Sequence, residues 1–217
     1  MNAMKLNPSR WRMSLIGVAL CLQLSSCATP PSARFHTLLT MDSDERVNPS
    51  VSEGAGFAVN LTTVTIPAQV DQPQWLVRNI DGSLSLLEQE RWVAPLRGEL
   101  QSALLDRWAK NWGGSSPTSS SKELVWRVSV EVTRWESVPG REVRLESRWT
   151  ATSGVSGSPT LSCQSWIRES VQADSGSLTL ALAAGHRRAV ARLADEVATR
   201  LNGVQKGELP LCAEAKR

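Results

Sequence analysis

The chain has 217 residues, of which 41% are hydrophobic, with 24 Lys and Arg, 21 Asp and Glu, four Cys and two His. This length suits one ordinary domain with its own core, and no run of five basic residues indicates a nucleic-acid partner. The chain has only two histidines, and its four cysteines show no C-x-x-C spacing, which argues against a metal site. No cofactor is predicted.

The first 26 residues have the features of a secretory signal peptide. Lys5, Arg10 and Arg12 precede an apolar run of 12 residues over 13–24, and no acidic residue occurs before position 42. Because a membrane-spanning helix needs about 20 apolar residues, this run is too short to span a bilayer. Its length and its basic flank are those of the apolar region of a signal peptide. We therefore predict that residues 1–26 are removed.

A cysteine follows this segment directly. Leu24-Ser25-Ser26-Cys27 resembles the lipobox of bacterial lipoproteins, in which the cysteine becomes the lipidated N-terminus. The alternative is a cytosolic protein with a buried N-terminal helix. It does not explain why the apolar run stops at two small residues and a cysteine. We predict that Cys27 is lipidated and that 27–34 is a tether.

The lipid anchor predicts the membrane at which the domain lies and the largest distance between the domain and that membrane. Position 28 is Ala and not Asp, which by resemblance to lipoprotein sorting in Gram-negative bacteria favours the outer membrane. Each buried methylene contributes roughly 0.8 kcal/mol, so several acyl chains on one cysteine hold a protein stably at a bilayer. The tether from Cys27 to Phe35 spans at most roughly 28 Å. We therefore expect the domain at the periplasmic face of the outer membrane, close to the inner leaflet, where a partner must come to it.

Removal of the signal peptide changes the charge and the cysteine count. Three basic residues are lost, which leaves 24 − 3 = 21 basic against 21 acidic residues and a formal net charge of zero. Cys21 is lost as well, and once Cys27 is lipidated only Cys163 and Cys212 remain. In an oxidising periplasm the two cysteines that remain are expected to form one disulfide. Two separate buried thiols are the alternative.

The first part of the mature chain predicts strands and a hairpin. The stretches FHTLL, 35–39, and FAVNLTTVTI, 57–66, are strand-like, and the polar stretch 42–56 between them predicts a loop. The stretches WLVRN and SLSLLE flank Asp81-Gly82, which is a two-residue hairpin signal.

After Pro95 the apolar spacing changes to that of a helix, and proline suits the first helical turn. Five apolar residues share one face of this predicted helix: Leu96, Leu100, Ala103, Leu104 and Trp108. The Gly- and Ser-rich stretch 113–121 then predicts a loop.

The second half of the chain predicts three strands and a helix. Core-facing and solvated residues alternate over 124–133 and over 142–151, with a turn at 139–140 between them. Facing Arg and Glu residues predict cross-strand ion pairs. The stretch LSCQSWIRESV, 161–171, predicts the third strand. A helix of about 20 residues then closes the domain with one apolar side: Leu182, Val190, Leu193, Ala194, Val197 and Leu201.

Several residues stand in an order that is typical of one protein family. The order is Ile66-Pro67, Asp71, Pro73-Gln74, Arg78, Arg91-Trp92 and Pro95-Leu96. Over 64–108 the chain thereby resembles the PqiC (YmbA-like) lipoproteins, which are auxiliary components of ABC-type transport systems with MCE proteins. Phe35 and Leu38 also fit the family, whereas His36 stands where the family often has a second aromatic residue.

The resemblance implies a fold and a role. The implied fold is a single α/β domain over 35–202, with a mixed sheet of about five strands and packed helices like the N-terminal domain of TolB, followed by a tail over 203–217. The implied role is that of a docking or exit component at the outer membrane, where it meets an MCE-domain protein that spans the periplasm and moves lipid. We expect several copies to form a ring around the end of that partner.

The loop before the hairpin is the candidate partner-binding site. Two prolines pre-shape this loop, so little entropy is lost on binding, and Trp and Arg are enriched at binding hot spots. The predicted contacts are Pro67, Asp71, Pro73, Gln74, Trp75 and Arg78. The alternatives are that Trp75 packs in the core as a strand residue and that Arg78 pairs with a nearby carboxylate.

An enzyme is not predicted. The chain has no phosphate-binding G-x-x-x-x-G-K-[ST] loop, and SGVSGSP at 153–159 is not a G-x-S-x-G motif. His186 lies in a helical pattern without an obvious acidic partner. A lipoprotein that binds polysaccharide or assembles a different envelope complex is the alternative function, because exposed tryptophans stack on sugars and the chain has nine. Trp108, Trp126 and Trp149 fall on predicted core faces, which favours packing for them.

Overall fold

The computed structural model describes residues 32–39, 57–112, 124–155, 157, 160–172, 177–208 and 212. The described residues from Ala33 onward belong to one compact unit. The predicted signal peptide, Cys27 and the loops predicted over 42–56 and 113–121 lie outside the described residues, as does most of the predicted tail.

Seven strands and two helices make up the described part of the chain. They are β1 Arg34–His36, β2 Phe57–Thr65, β3 Gln74–Arg78, β4 Leu84–Trp92, α1 Leu96–Trp112, β5 Leu124–Val138, β6 Glu142–Ser153, β7 Leu161–Ser170 and α2 Leu178–Gln205. The predicted α/β class with a mixed sheet and packed helices is confirmed. The strands outnumber the expected five, however, and they divide into two sheets.

Each of the two sheets is mixed. The small sheet has the order β1-β4-β3, with β1 parallel and β3 antiparallel to β4. The large sheet has the order β2-β5-β6-β7, with β2 parallel to β5 and the other pairs antiparallel. The small sheet arises because β1, which comes first in the chain, pairs with the far strand of the hairpin and not with β2.

The predicted alternation in β5 and β6 is confirmed. Val128, Leu145 and Trp149 are buried on the core face of the large sheet. On the opposite face Glu131 and Arg148 are joined by an ion pair at 3.7 Å, as the facing charges predicted. The large sheet therefore has one apolar and one solvated face, as antiparallel sheets commonly do.

An irregularity in β5 redirects the end of that strand. The register with β6 shifts between Val132 and Arg134, so Thr133 is an extra residue. An extra residue reverses which side chains face the core, and Trp135 and Ser137 are consequently buried. The sequence predicted alternation only through Thr133, whereas β5 continues to Val138.

The helices cover the apolar face of the large sheet. Helix α1 starts after Pro95 as predicted, and its five predicted face residues are all buried. Helix α2 is longer than the predicted 20 or so residues, at 28. A Cβ atom added at Gly185 would lie 2.9 Å from a methyl group of Val171, so glycine permits the close approach of α2 to the sheet. In the described residues neither helix is long and apolar enough to cross a membrane.

The β3–β4 hairpin has a longer loop than the two residues predicted. The N–H of Asn79 donates to the carbonyl of Ser83 at 2.8 Å, so these two residues close the hairpin. Three residues remain in the loop, and Gly82 has a φ of 88° in the left-handed region. Three-residue loops need such a residue after the turn, which explains why Asp81-Gly82 is not a two-residue turn.

A disulfide joins Cys163 of β7 to Cys212, and the Cα atoms of the two residues are 5.1 Å apart. The bond connects the chain beyond α2 to the edge strand of the large sheet.

Candidate functional site

The loop that leads into β3 is held by its own backbone and by α1. The carbonyl of Pro67 accepts hydrogen bonds from the N–H groups of Val70 at 3.0 Å and Asp71 at 3.2 Å. The carboxylate of Asp71 then binds the Arg97 guanidinium at 2.5 Å and lies 3.3 Å from the Arg97 N–H. A carboxylate at the first turn of a helix is stabilised by the helix dipole. Asp71 therefore has a structural partner in α1.

Pro73 and Gln74 face the other strand of the hairpin. The carbonyl of Pro73 accepts a hydrogen bond from the N–H of Trp92 at 2.9 Å. Gln74 is paired with Arg91 at the point where the β3–β4 register shifts. Both residues of the predicted site thus join the loop to the end of β4.

Trp75 packs in the core between the two sheets. Its side chain is 2% exposed, and its indole N–H donates to the hydroxyl of Ser137 at 3.2 Å. The rings of His36 and Trp92 lie 4.8 Å and 4.7 Å from the Trp75 ring between centroids. The structure therefore favours the core alternative for Trp75, and it gives His36 an aromatic contact.

Two buried carboxylates hold the chain around β1. Glu90 lies 2.6 Å from His36 Nε2 and also pairs with Arg34. Burial acts to raise the pKa of Glu90, but the hydrogen bonds from His36 and Arg34 outweigh it and hold that pKa below its usual value. Glu99 of α1 accepts hydrogen bonds from the hydroxyl of Thr37 and the N–H of Leu38 at 2.7 and 2.8 Å. These bonds to Glu99 explain why β1 is shorter than the predicted strand over 35–39.

His186 of α2 lies in the same buried cluster. Its ring stacks on Trp135 with 4.3 Å between centroids, and its Nε2 is 2.7 Å from the Ser137 hydroxyl. His186 Nδ1 has no hydrogen-bond partner in the part of the chain that the structure describes. Burial lowers the pKa of His186 to about 3, so the imidazole is neutral in the folded protein.

The neutral His186 predicts a specific acid sensitivity. Its pKa is near 6.5 in the unfolded chain and about 3 in the folded one. Between these values the unfolded state binds one more proton, so stability is complete above pH 6.5 and falls with decreasing pH. Within that window wild type should lose stability more steeply with falling pH than His186→Phe, which keeps a ring beside Trp135, by about 1 kcal/mol per pH unit. Urea unfolding at several pH values measures the two slopes, and equal slopes would contradict a buried neutral histidine.

A groove opens on the solvent side of β3. It has a volume of about 220 Å³ and lies between the hairpin and the second half of β5. We call it the hairpin groove, and residues that define it are Pro67, Val70, Leu76, Arg78, Leu84 and Glu136. Of the predicted contacts, Pro67 and Arg78 line this groove together.

An ion network fixes the floor of the hairpin groove. Glu136, whose side chain is 13% exposed, accepts a hydrogen bond from Arg78 at 3.1 Å and also lies near Arg134 and Arg144. Arg78 donates in addition to the carbonyl of Gly82 at 3.0 Å. The alternative that Arg78 pairs with a carboxylate is therefore observed, yet 38% of its side chain remains exposed. An Arg held in place and partly exposed loses little entropy when it binds a partner.

Leu84 lines one side of the groove, and the exposed Leu86 lies next to that side as the cross-strand partner of Leu76. Leu84 and Leu86 are 54% and 40% exposed, and they pair with Arg78 and Leu76 on the hairpin face that points away from Trp75. Apolar side chains beside an oriented charged group are typical of binding sites. The sequence analysis missed these leucines. Their alternation with serines in SLSLLE was the available signal, but alternation alone does not say which face is buried.

Comparison with known proteins gives a family match and solved structures with a similar fold. The sequence model of the family described as "ABC-type transport auxiliary lipoprotein component" matches residues 37–198. A crystal structure of an uncharacterized protein is similar with a TM-score of 0.54 and 16% identity, covering 77% of this chain and 99% of the other. The crystal structure of a Xanthomonas campestris protein of the DUF330 family has a TM-score of 0.53 and 17% identity, covering 70% and 88%. No curated protein matches this chain.

Proposed function

Because the chain belongs to the family of ABC-type transport auxiliary lipoprotein components, we propose that it is the outer-membrane-anchored docking subunit of an MCE-type lipid transport system. The family match agrees with the PqiC-like order of residues over 64–108. In the proposal Cys27 carries the lipid anchor in the inner leaflet, and the domain binds an MCE-domain protein that spans the periplasm. Several copies surround the end of that partner.

The hairpin groove is the observation that carries the docking role. Its hairpin side belongs to the segment that resembles the family, and there the exposed Leu84 lies beside the held guanidinium of Arg78. Interface cores use apolar anchors together with Arg, and a site that is already formed binds without a cost of rearrangement. The partner surface that fits is apolar with a carboxylate for Arg78.

The tryptophans give less support to a polysaccharide-binding function. Stacking on a sugar requires an exposed indole face. Among the tryptophans whose side chains the structure describes, Trp166 is 41% exposed. The others are buried in the core: Trp75, Trp92, Trp108, Trp126, Trp135 and Trp149.

We propose no catalytic role for the hydrogen-bonded Ser137 and His186. The side chains of both are buried, with exposures of 1% and 0%, so a substrate cannot reach them. A histidine whose pKa is about 3 is also a weak general base near neutral pH.

Site-specific crosslinking tests the docking role. A photoreactive amino acid at Leu84 should crosslink an MCE-domain protein in living cells, because Leu84 is at the rim of the hairpin groove. The matched control is Gln164, which is exposed on the solvated face of the large sheet. An MCE crosslink from position 164 and none from position 84 would place the interface elsewhere and contradict the proposed site.

A further inference from the structure

Three elements of the domain come together at one end. The hairpin loop and the β5–β6 turn line a common depression, to which Ile80 and Pro139 both contribute. Helix α2 begins beside that turn, because a methyl group of Leu178 lies 3.9 Å from the position that a Cβ atom at Gly140 would have. The hairpin loop, the turn and the first turn of α2 therefore form one surface.

This surface exposes apolar side chains together with two charges. Ile80, Leu178 and Leu180 are 80%, 44% and 60% exposed. Asp81 of the hairpin loop and Arg141 of the β5–β6 turn are exposed as well. We call these five residues the tip patch. A single exposed apolar residue is ordinary, but several from neighbouring elements indicate an interaction surface.

A second apolar patch lies at the other end of the small sheet. Phe35 of β1 is 63% exposed and is paired with Arg91 near the end of β4. Val93, which is 61% exposed, follows β4 and donates its N–H to the carbonyl of His36 at 2.9 Å. Glu88 is exposed, and its carbonyl accepts a hydrogen bond from Arg91 at 3.2 Å. We call Phe35, Glu88, Arg91 and Val93 the base patch.

The two patches are complementary in charge. Each combines exposed apolar side chains with one acidic and one basic residue. Within the part of the chain that the structure describes, none of these four charged side chains forms an ion pair, although Asp81 accepts hydrogen bonds from Ser83. Opposite charges beside an apolar contact fix its register and exclude wrong partners. Asp81 therefore suits Arg91, and Arg141 suits Glu88.

The patches are too far apart to cover each other within one molecule. Strand β4 begins next to the hairpin loop at Leu84 and ends at the base patch with Trp92, nine residues later. At the usual rise of a strand this separates the two patches by about 25 Å. A contact between two identical tip patches would leave the base patch of every copy exposed. A contact of tip patch with base patch covers both surfaces in every copy of a closed ring.

We propose that the tip patch of one copy binds the base patch of the next, with Ile80 against Phe35 and with Asp81 paired to Arg91. Because this contact joins two different surfaces, it repeats from copy to copy and forms a ring when the rotation closes. The inference rests on the proposed arrangement of several copies around the partner, and it assigns the contact between those copies. It needs no MCE protein to form, so the contact and the docking role can fail separately.

Mixing two interface variants tests the contact. Full-length lipoprotein is purified in detergent without an MCE protein, and native mass spectrometry counts the copies in each assembly. Wild type should form assemblies of three or more copies, whereas Ile80→Glu and Phe35→Glu should each be monomeric. An equal mixture of the two variants should form heterodimers and nothing larger, because one retains the base patch and the other the tip patch. Val155→Glu is the matched control, since Val155 is 56% exposed, follows β6 and belongs to neither patch.

Reversal of the charges provides a test that changes no apolar side chain. Asp81→Arg and Arg91→Asp should each weaken self-association several-fold, because each places like charges opposite one another. The double variant carries both charges exchanged and should recover most of the association of wild type. Two single variants that behave like wild type, or a double variant weaker than either, would contradict the pairing of Asp81 with Arg91.

The other outcomes separate the contact from the docking role. A wild type that is monomeric but still co-purifies an MCE protein would overturn the contact and leave the docking role in place. Homodimers of Phe35→Glu that Ile80→Glu cannot form would show contact between identical tip patches and would also overturn the proposal. Loss of MCE co-purification in Ile80→Glu, with self-association unchanged, would assign the tip patch to that partner and not to a second copy.

Discussion

Trp75→Ala should lower the free energy of unfolding by about 3–5 kcal/mol, the usual cost of removing a buried tryptophan. The indole is 2% exposed, packs between His36 and Trp92, and donates its N–H to Ser137. Alanine would leave a cavity between the two sheets and would remove one of the two hydrogen bonds of the Ser137 hydroxyl. Urea unfolding of the domain measures the change directly.

Two further variants separate packing from binding. Trp75→Phe keeps one ring in the core but loses the hydrogen bond and part of the buried ring volume, so we expect a smaller cost of about 2 kcal/mol. Arg78→Ala should cost less than about 1 kcal/mol, because the Arg78–Glu136 pair is partly exposed. A Trp75→Ala protein that is as stable as wild type but fails to bind its partner would contradict the core assignment.

The Cys163–Cys212 disulfide should contribute about 4 kcal/mol to stability, because the two cysteines are 49 residues apart. The bond restricts the unfolded chain, and the loss of stability on reduction follows from the release of that restriction. Urea unfolding of a Cys27→Ala protein with and without reductant measures the contribution. The double variant Cys163→Ala plus Cys212→Ala should resemble the reduced protein and should not respond to reductant. An oxidised protein that is no more stable than the reduced one would contradict this estimate.

Local patterns predicted the elements that depend on neighbouring residues. The face of α1, the alternation in β5 and β6 and the turn at Gly140 were all readable, because spacing and turn chemistry act over a few positions. The pairing of β1 with β4 could not be predicted from the sequence. It depends on Glu90 and Glu99, whose carboxylates contact His36 and Thr37. These contacts join residues that are 54 and 62 positions apart in the sequence.

The candidate site could be predicted only in part, because some of its residues are brought together by contacts between distant parts of the chain. The loop that contains Pro67 and Arg78 was identified from its residue types, and both residues line the hairpin groove. Trp75 is of a residue type that is enriched at binding hot spots, but its side chain points into the core and not into the groove. This follows because successive side chains of a strand point to opposite faces of the sheet. Glu136 could not be assigned, since the extra residue at Thr133 changes which β5 side chains face the groove.

Affinity purification of the full-length lipoprotein from solubilised envelopes, followed by mass spectrometry, tests the docking role most directly. Wild type should co-purify an MCE-domain protein, and Leu84→Glu plus Leu86→Glu should lose it while Gln164→Glu retains it. Because both leucines are exposed, the double variant should fold normally, and its urea unfolding checks this. A different envelope protein that co-purifies reproducibly, with no MCE protein, would contradict the proposed function and leave only the family fold.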